Sequence, residues 1–269
     1  MKQNIAFSFG RNWQDFLKSL NEDKYKNAAL SLTEFLGLDN LQGKSFLDIG
    51  CGSGLFSYAA FRLGADKVVS IDLDPFSIEC CKYLREKADS PRNWELYQGS
   101  ILDDNFISKL GKYDIVYAWG VLHHTSKMWE AIKNSSKLVN SGGYFYVAIY
   151  NKVEGMMGSE FWLRIKKLYN SSPRIGRRAL EALYMSAYFI VYLFSLRNPV
   201  TNIRNYKSHR GMSWRTDIID WLGGYPYEFA TVAEIVEFMK TNFPNFNCIN
   251  TKKASGLANS WYLFQRNAG

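Results

Sequence analysis

From Ser45 onward, short apolar runs alternate with amphipathic segments of helical period, and this alternation narrows the possible folds more than any other feature of the chain. Residues 45–49, 67–72, 94–97, 113–118 and 144–150 read as strands. Helices are expected from the glycine loop after the first strand to about Leu63, from Pro75 to about Lys87, and over 128–138. Strands joined by helices of these lengths lie parallel and need cover on both faces. The end of the chain reverses the pattern. Residues 233–240 read as a helix, and 247–251 and 261–265 as two strands with no helix between them, which therefore pair antiparallel.

The same reading divides the chain into four parts. Residues 1–43 form an N-terminal helical segment, with Ala28, Ala29, Leu32, Phe35 and Leu36 at helical spacing and Gly37 as the stop. Residues 44–150 form the core, and 231–269 its C-terminal part. Residues 151–230 are too many for a structureless loop and are expected to form a helical cap over the sheet edge. This insertion holds Arg174, Arg177 and Arg178, then an apolar stretch over 182–196. That stretch is shorter than the ~20 residues of a bilayer span. It reads as a buried cap helix, a dimer contact or a membrane-surface helix.

The chain carries 33 basic and 25 acidic residues, a formal charge of +8. Such an excess suits a phosphorylated substrate, an anionic membrane, nucleic acid, or plain solubility. No RNA-binding domain accompanies it, so nucleic acid is not the expected partner. A small molecule is, with transient membrane contact as an alternative; the oligomeric state is left open. The 47% hydrophobic and 22% charged residues exclude wholesale disorder, and 16% aromatic residues suggest an aromatic-lined pocket. Four cysteines without a CxxC pair suggest a reduced compartment, and residues 1–7 lack a signal-peptide pattern. The expected location is cytoplasmic.

The strongest local motif is Leu47-Asp48-Ile49-Gly50-Cys51-Gly52-Ser53-Gly54. Glycines straight after a buried strand let a ligand approach the backbone, and the next helix offers free N–H groups. The second strand ends in Asp72, at the roughly 20-residue distance where a carboxylate holds a ribose diol. The plainer alternatives are that Asp72 is a solvated strand end and that Asp74 caps the helix starting at Pro75.

These motifs strongly resemble class I S-adenosylmethionine-dependent methyltransferases, in the ubiquinone-methylase-like subgroup of the kind found in sugar and surface-polysaccharide biosynthesis. LDIGCGSGLFS matches the family's methionine-binding loop and VVSIDLDP its ribose strand. Gln98-Gly99-Ser100-Ile101 matches the adenine loop, with Ser100 where the family often has Asp. The run from Tyr113 to His124 resembles its fourth-strand motif, and Leu138 to Gly143 its glycine turn. The resemblance covers about 44–150 and 231–265. It implies a doubly wound, seven-stranded Rossmann-like α/β sheet with an antiparallel last strand.

The implied cofactor is S-adenosyl-L-methionine, leaving S-adenosyl-L-homocysteine as product. Its expected holders are Asp48, Gly50, Cys51, Gly52, Asp72, Leu73, Ser100, Ile101 and Trp119. No metal is expected, because a sulfonium methyl is already electrophilic. His123 and His124 are the candidate catalytic bases; adjacent residues point apart, so at most one reaches the substrate. Trp13, Tyr150, Tyr225, Tyr227 and Glu228 are the candidate substrate contacts, the last three from the turn Gly223-Gly224-Tyr225-Pro226-Tyr227-Glu228. Trp13 reads equally as an anchor of its helix, and the turn as a packed surface feature. The expected reaction is methyl transfer to O or N of a small polar metabolite, a sugar or surface-polysaccharide precursor. Quinones, lipid head groups, RNA and a non-catalytic scaffold are the alternatives.

Overall fold

The computed structural model describes residues 20–195 and 214–269, together with residues 17, 201, 203 and 206. Trp13, His209 and the bases Arg204, Lys207 and Arg210 lie outside the described residues.

Helix α1 (Glu22–Leu36) starts where Asn21 accepts from the Lys24 N–H and stops at Gly37, whose φ of 67° closes a left-handed cap. The sheet then builds from β1 (Ser45–Ile49), α2 (Leu55–Arg62), β2 (Lys67–Asp72), α3 (Pro75–Lys87), β3 (Trp94–Gln98), a short α4 (Asp104–Ile107) and β4 (Tyr113–Trp119). A 3-10 turn (Leu122–His124), α5 (Met128–Lys137) and β5 (Val139–Tyr150) follow. Helices α6 (Ser159–Ser171), α7 (Arg174–Phe194) and α8 (Trp214–Gly223) occupy the insertion. The chain ends with α9 (Val232–Asn242), β6 (Phe246–Lys252) and β7 (Asn259–Arg266).

The seven strands run in the order β3-β2-β1-β4-β5-β7-β6, with β7 antiparallel to both its neighbours. This is the doubly wound sheet with an antiparallel last strand that the sequence implies. Alternation along the strands explains the two layers of cover. Phe46, Val68, Ile115 and Tyr146 face a core shared with Leu32 and Phe35 of α1 and Ala59 of α2. Leu47, Val69, Val116 and Val147 face the opposite core, shared with Ile132 of α5 and Ile235 of α9.

One boundary differs from the sequence reading. Strand β5 starts at Val139 rather than Tyr144, because Asn140 to Gly143 form a bulge inside the strand: Tyr113 pairs with Val139, and Ile115 already with Tyr144. The tail of the chain holds the bulge, the Gly142 N–H donating to the Asn267 carbonyl.

The insertion leaves and rejoins the core at one point. Asn151 and Ala230 form a bridge, and the Ala230 N–H donates to the Tyr150 carbonyl. Tyr169, Ile218 and Leu222 join α6 to α8 in a small separate core. Arg177 closes the end of α6, donating to the carbonyls of Tyr169, Asn170 and Ser172.

Candidate active site

The carboxyl ends of β1, β2 and β4 open into one cleft of about 2140 Å³. Common small-molecule pockets measure roughly 300–1,000 Å³, so the cleft has room for two ligands side by side. Its floor is the glycine loop. The N–H groups of Gly50 and Cys51 both donate to the Ile71 carbonyl, at 2.8 and 3.0 Å, which straps the loop to β2. Gly50 has a φ of +69°, and a Cβ there would lie 2.3 Å from Val121 Cγ2. Gly50→Ala is therefore expected to cost about 1–3 kcal/mol by overpacking alone. An unchanged urea midpoint would mean that the loop and Val121 separate freely.

Asp72 closes the loop from the side. One carboxylate oxygen accepts from the Gly52 N–H at 3.0 Å, the other from the Asp74 N–H at 2.9 Å. Burial raises its pKa and these backbone donors oppose the rise. Asp74 caps α3, accepting from the Phe76 N–H at 2.9 Å, so the capping reading holds for Asp74 while Asp72 faces the cleft.

Asp48 lies at the bottom, buried, and ends a hydrogen-bonded chain. The Trp94 indole donates to Ser70 Oγ, Ser70 to Ser57 Oγ, and Ser57 to Asp48 Oδ2 at 2.5 Å. Burial pushes the Asp48 carboxyl up to about 7, with the Ser57 hydrogen bond opposing. A nearby cation would therefore favour its ionised form. Leu73 and Ile101 supply apolar walls, and Ser100 Oγ accepts from the Leu102 N–H. All nine residues expected on the cofactor side line this one cleft.

The two histidines separate. His124 lines the cleft. Its Nδ1 lies 2.5 Å from the Pro226 carbonyl, which can only accept, so Nδ1 carries the proton and Nε2 the lone pair. Burial pushes the imidazole down to about 4, with the Pro226 contact opposing, and the ring is neutral at pH 7. His123 is fully buried and does not line the cleft. Its Nδ1 accepts from the Tyr150 N–H at 3.3 Å, and its ring packs 4.1 Å from that of Tyr150. Of the two histidines, of which at most one was expected to reach the substrate, only His124 lines the cleft.

Tyr150 and Tyr225 line the cleft beside His124. Tyr227 and Glu228 do not, which corrects their expected place in its wall. Tyr227 is buried behind, against Tyr150 and Lys166. Glu228 is tied to the 3-10 turn and α5: its N–H donates to the His123 carbonyl, and Oε2 accepts from the Met128 N–H at 3.0 Å. Helix α5 lacks a side-chain cap from Lys127, and Glu228 supplies one from a distance.

Other wall residues were not anticipated from the sequence. Trp261 and Asn259 enter because β7 runs antiparallel beside β5, bringing its first residues to the open end of the sheet. That pairing was foreseeable, so these positions could have been found. Asp217, Asp220 and Trp221 of α8 form the cap side. Behind Trp221, the buried Lys166 ammonium donates to its carbonyl and sits 4.0 Å from its ring. Burial pushes that ammonium down to about 7. Nothing in the Lys166-Lys167 pair of an amphipathic helix marks one of the two as buried.

Comparison with known proteins agrees with the architecture. The chain is 32% identical over 129 residues to a ubiquinone biosynthesis O-methyltransferase of Pelagibacter ubique, covering 46% of this chain and 51% of that protein. It is 44% identical over 73 residues to the ribosomal protein L11 methyltransferase of Colwellia psychrerythraea, covering 27% of this chain and 25% of the other. The chain thus matches about half or less of the length of these relatives. Magnesium protoporphyrin IX methyltransferase from Synechocystis PCC 6803, solved with bound SAH, shares the fold at a TM-score of 0.53 and 15% identity, over 90% of this chain and 83% of that one. A family model described as a methyltransferase domain matches residues 40–183. That match spans more than half of the chain and includes the glycine loop, Asp72 and His124, and the protein belongs to this methyltransferase-domain family.

Proposed function

We propose that the protein is an S-adenosylmethionine-dependent methyltransferase acting on O or N of a small polar acceptor, a sugar or surface-polysaccharide precursor. The observation that carries this reading is the convergence of the nine cofactor-side residues and His124 on one cleft. The cleft fits the cofactor's chemistry. Asp72 offers carboxylate oxygens to a ribose diol, Leu73 and Ile101 offer apolar flanks to a purine, and Asp48 offers charge to an ammonium.

When bound, the cofactor supplies an electrophilic methyl on a sulfonium. The protein's part is to hold the acceptor in line, exclude water and manage one proton. The neutral His124 Nε2 is the group for that proton. Tyr150, Trp119, Trp221 and Tyr225 line the cleft together with Asp217 and Asp220, and Asp217 Oδ2 also accepts from the Tyr206 hydroxyl. A cleft that combines aromatic rings with carboxylates favours a sugar over a wholly apolar substrate. A quinone or lipid head group is the second reading, favoured by the exposed apolar side of α7. Four free cysteines, three of them buried, support a reduced compartment such as the cytoplasm. Among the described residues no helix is long and apolar enough to cross a membrane.

A labelled-methyl transfer screen over free and nucleotide-linked sugars, quinones and RNA tests the acceptor. Label is expected on the sugars. Label confined to quinone or RNA would overturn the sugar reading while keeping methyl transfer.

A further inference from the structure

Helix α7 has two unlike sides. Toward the protein, Tyr184 and Tyr188 line the cleft and pack against Trp162 and Trp214. Glu181, the helix's one acid, is buried and accepts from the Tyr169 hydroxyl at 2.8 Å. Toward solvent, Ile175 is 84% exposed, Leu183 67%, Ile190 53%, Val191 61%, Leu193 65% and Phe194 85%. At about 100° per residue these six fall within one half of the helix circumference. The other exposed positions of α7 are small residues and Arg174 and Arg178. A helix of this length, with one uncharged apolar half, bare basic residues and no exposed acid, has the make-up of one that lies in a bilayer interface. A contiguous apolar patch of this kind marks an interaction surface rather than ordinary scatter.

We infer that the solvent face of α7 docks on the surface of a membrane containing anionic lipid, with Ile175, Leu183, Ile190 and Phe194 entering the acyl boundary and Arg174 and Arg178 meeting the head groups. Charge selects this occupant over a second copy of the chain. The only charges on the exposed surface of α7 are positive, and the whole chain carries +8, so two such faces would repel while an anionic bilayer attracts. Among the described residues no helix, α7 included, is long and apolar enough to cross a bilayer. Because its opposite side lines the cleft, docking sets that wall of the cleft beside the lipid surface. The inference stands independently of the proposed methyl transfer.

Co-sedimentation of the full chain with phosphatidylcholine vesicles, with and without phosphatidylglycerol, tests it at about 150 mM salt. Binding is expected on the phosphatidylglycerol vesicles. The double variant L183E/I190E should weaken it at least about tenfold, since two buried apolar side chains are lost. R174Q/R178Q should weaken binding on anionic vesicles alone. Circular dichroism and thermal melts of both variants should match the parent, because the changed side chains touch solvent. Failure of the parent chain to sediment with either vesicle would overturn the inference. So would binding that L183E/I190E leaves intact, or a parent dimer in solution that L183E/I190E converts to monomer.

Discussion

Replacing His124 by alanine lowers turnover by about 10²–10⁴-fold, the usual worth of a positioned proton acceptor, and leaves the affinity for S-adenosylhomocysteine unchanged. The reasoning rests on the tautomer. With Nδ1–H committed to the Pro226 carbonyl, the lone pair sits on Nε2 of a residue that lines the cleft. His123→Ala acts differently. It opens a cavity under Tyr150, so thermal stability falls while turnover per folded molecule changes little. The pH profile separates the roles further. Burial depresses the His124 pKa to about 4, so its neutral form persists well below the 6.5 of an ordinary histidine. At saturating cofactor, turnover in the parent should therefore not fall through the usual histidine range as pH drops from 7 to 5. Equal, small losses in both variants, measured in single-turnover assays, would mean that positioning alone carries the reaction.

Asp72→Ala should weaken S-adenosylmethionine binding by about 1.5–3 kcal/mol, the range for hydrogen bonds to a charged group. Two effects add. The carboxylate that faces the ribose side is lost, and the Gly52 N–H loses its acceptor, which loosens the glycine loop. The sign of the pH effect follows from the raised pKa of Asp72. Folding favours its protonated form, and the ionised form is the better acceptor for a diol. Affinity should therefore weaken as pH falls toward the raised pKa, and Asp72→Asn should lose the Asp72 part of the trend and keep the part due to Asp48. Titration calorimetry measures both. Affinity unchanged in Asp72→Ala would place the ribose elsewhere.

Much of the fold was readable because the central strands β1, β2 and β4 are short, apolar and punctuated. The runs around Leu47, Val69, Val116 and Val147 are buried on both faces, and a continuous apolar run announces such a strand. The β5 boundary was missed because Ser141-Gly142-Gly143 spells a turn locally, whereas pairing with the chain's tail keeps those residues in the sheet. On the cofactor side, local sequence sufficed: the loop and the strand ends are set by contiguous motifs. The acceptor side depends on contacts across a hundred residues. Nothing local in Tyr225-Pro226-Tyr227-Glu228 distinguishes the two residues that line the cleft from the two that support it. The His123 carbonyl and the Met128 N–H decide that, by holding Glu228 at the start of α5. Likewise, which histidine turns inward is fixed by Pro226 and Tyr150, not by the His-His pair itself.

The most direct test of the account is a crystal structure of the full chain with S-adenosylhomocysteine. The nucleoside is expected between Leu73 and Ile101, its ribose on Asp72, its amino acid end over the Gly50–Gly54 loop near Asp48, and its sulfur toward Trp119 and His124. A ligand bound elsewhere, or a cleft still empty at saturating S-adenosylhomocysteine, would contradict it.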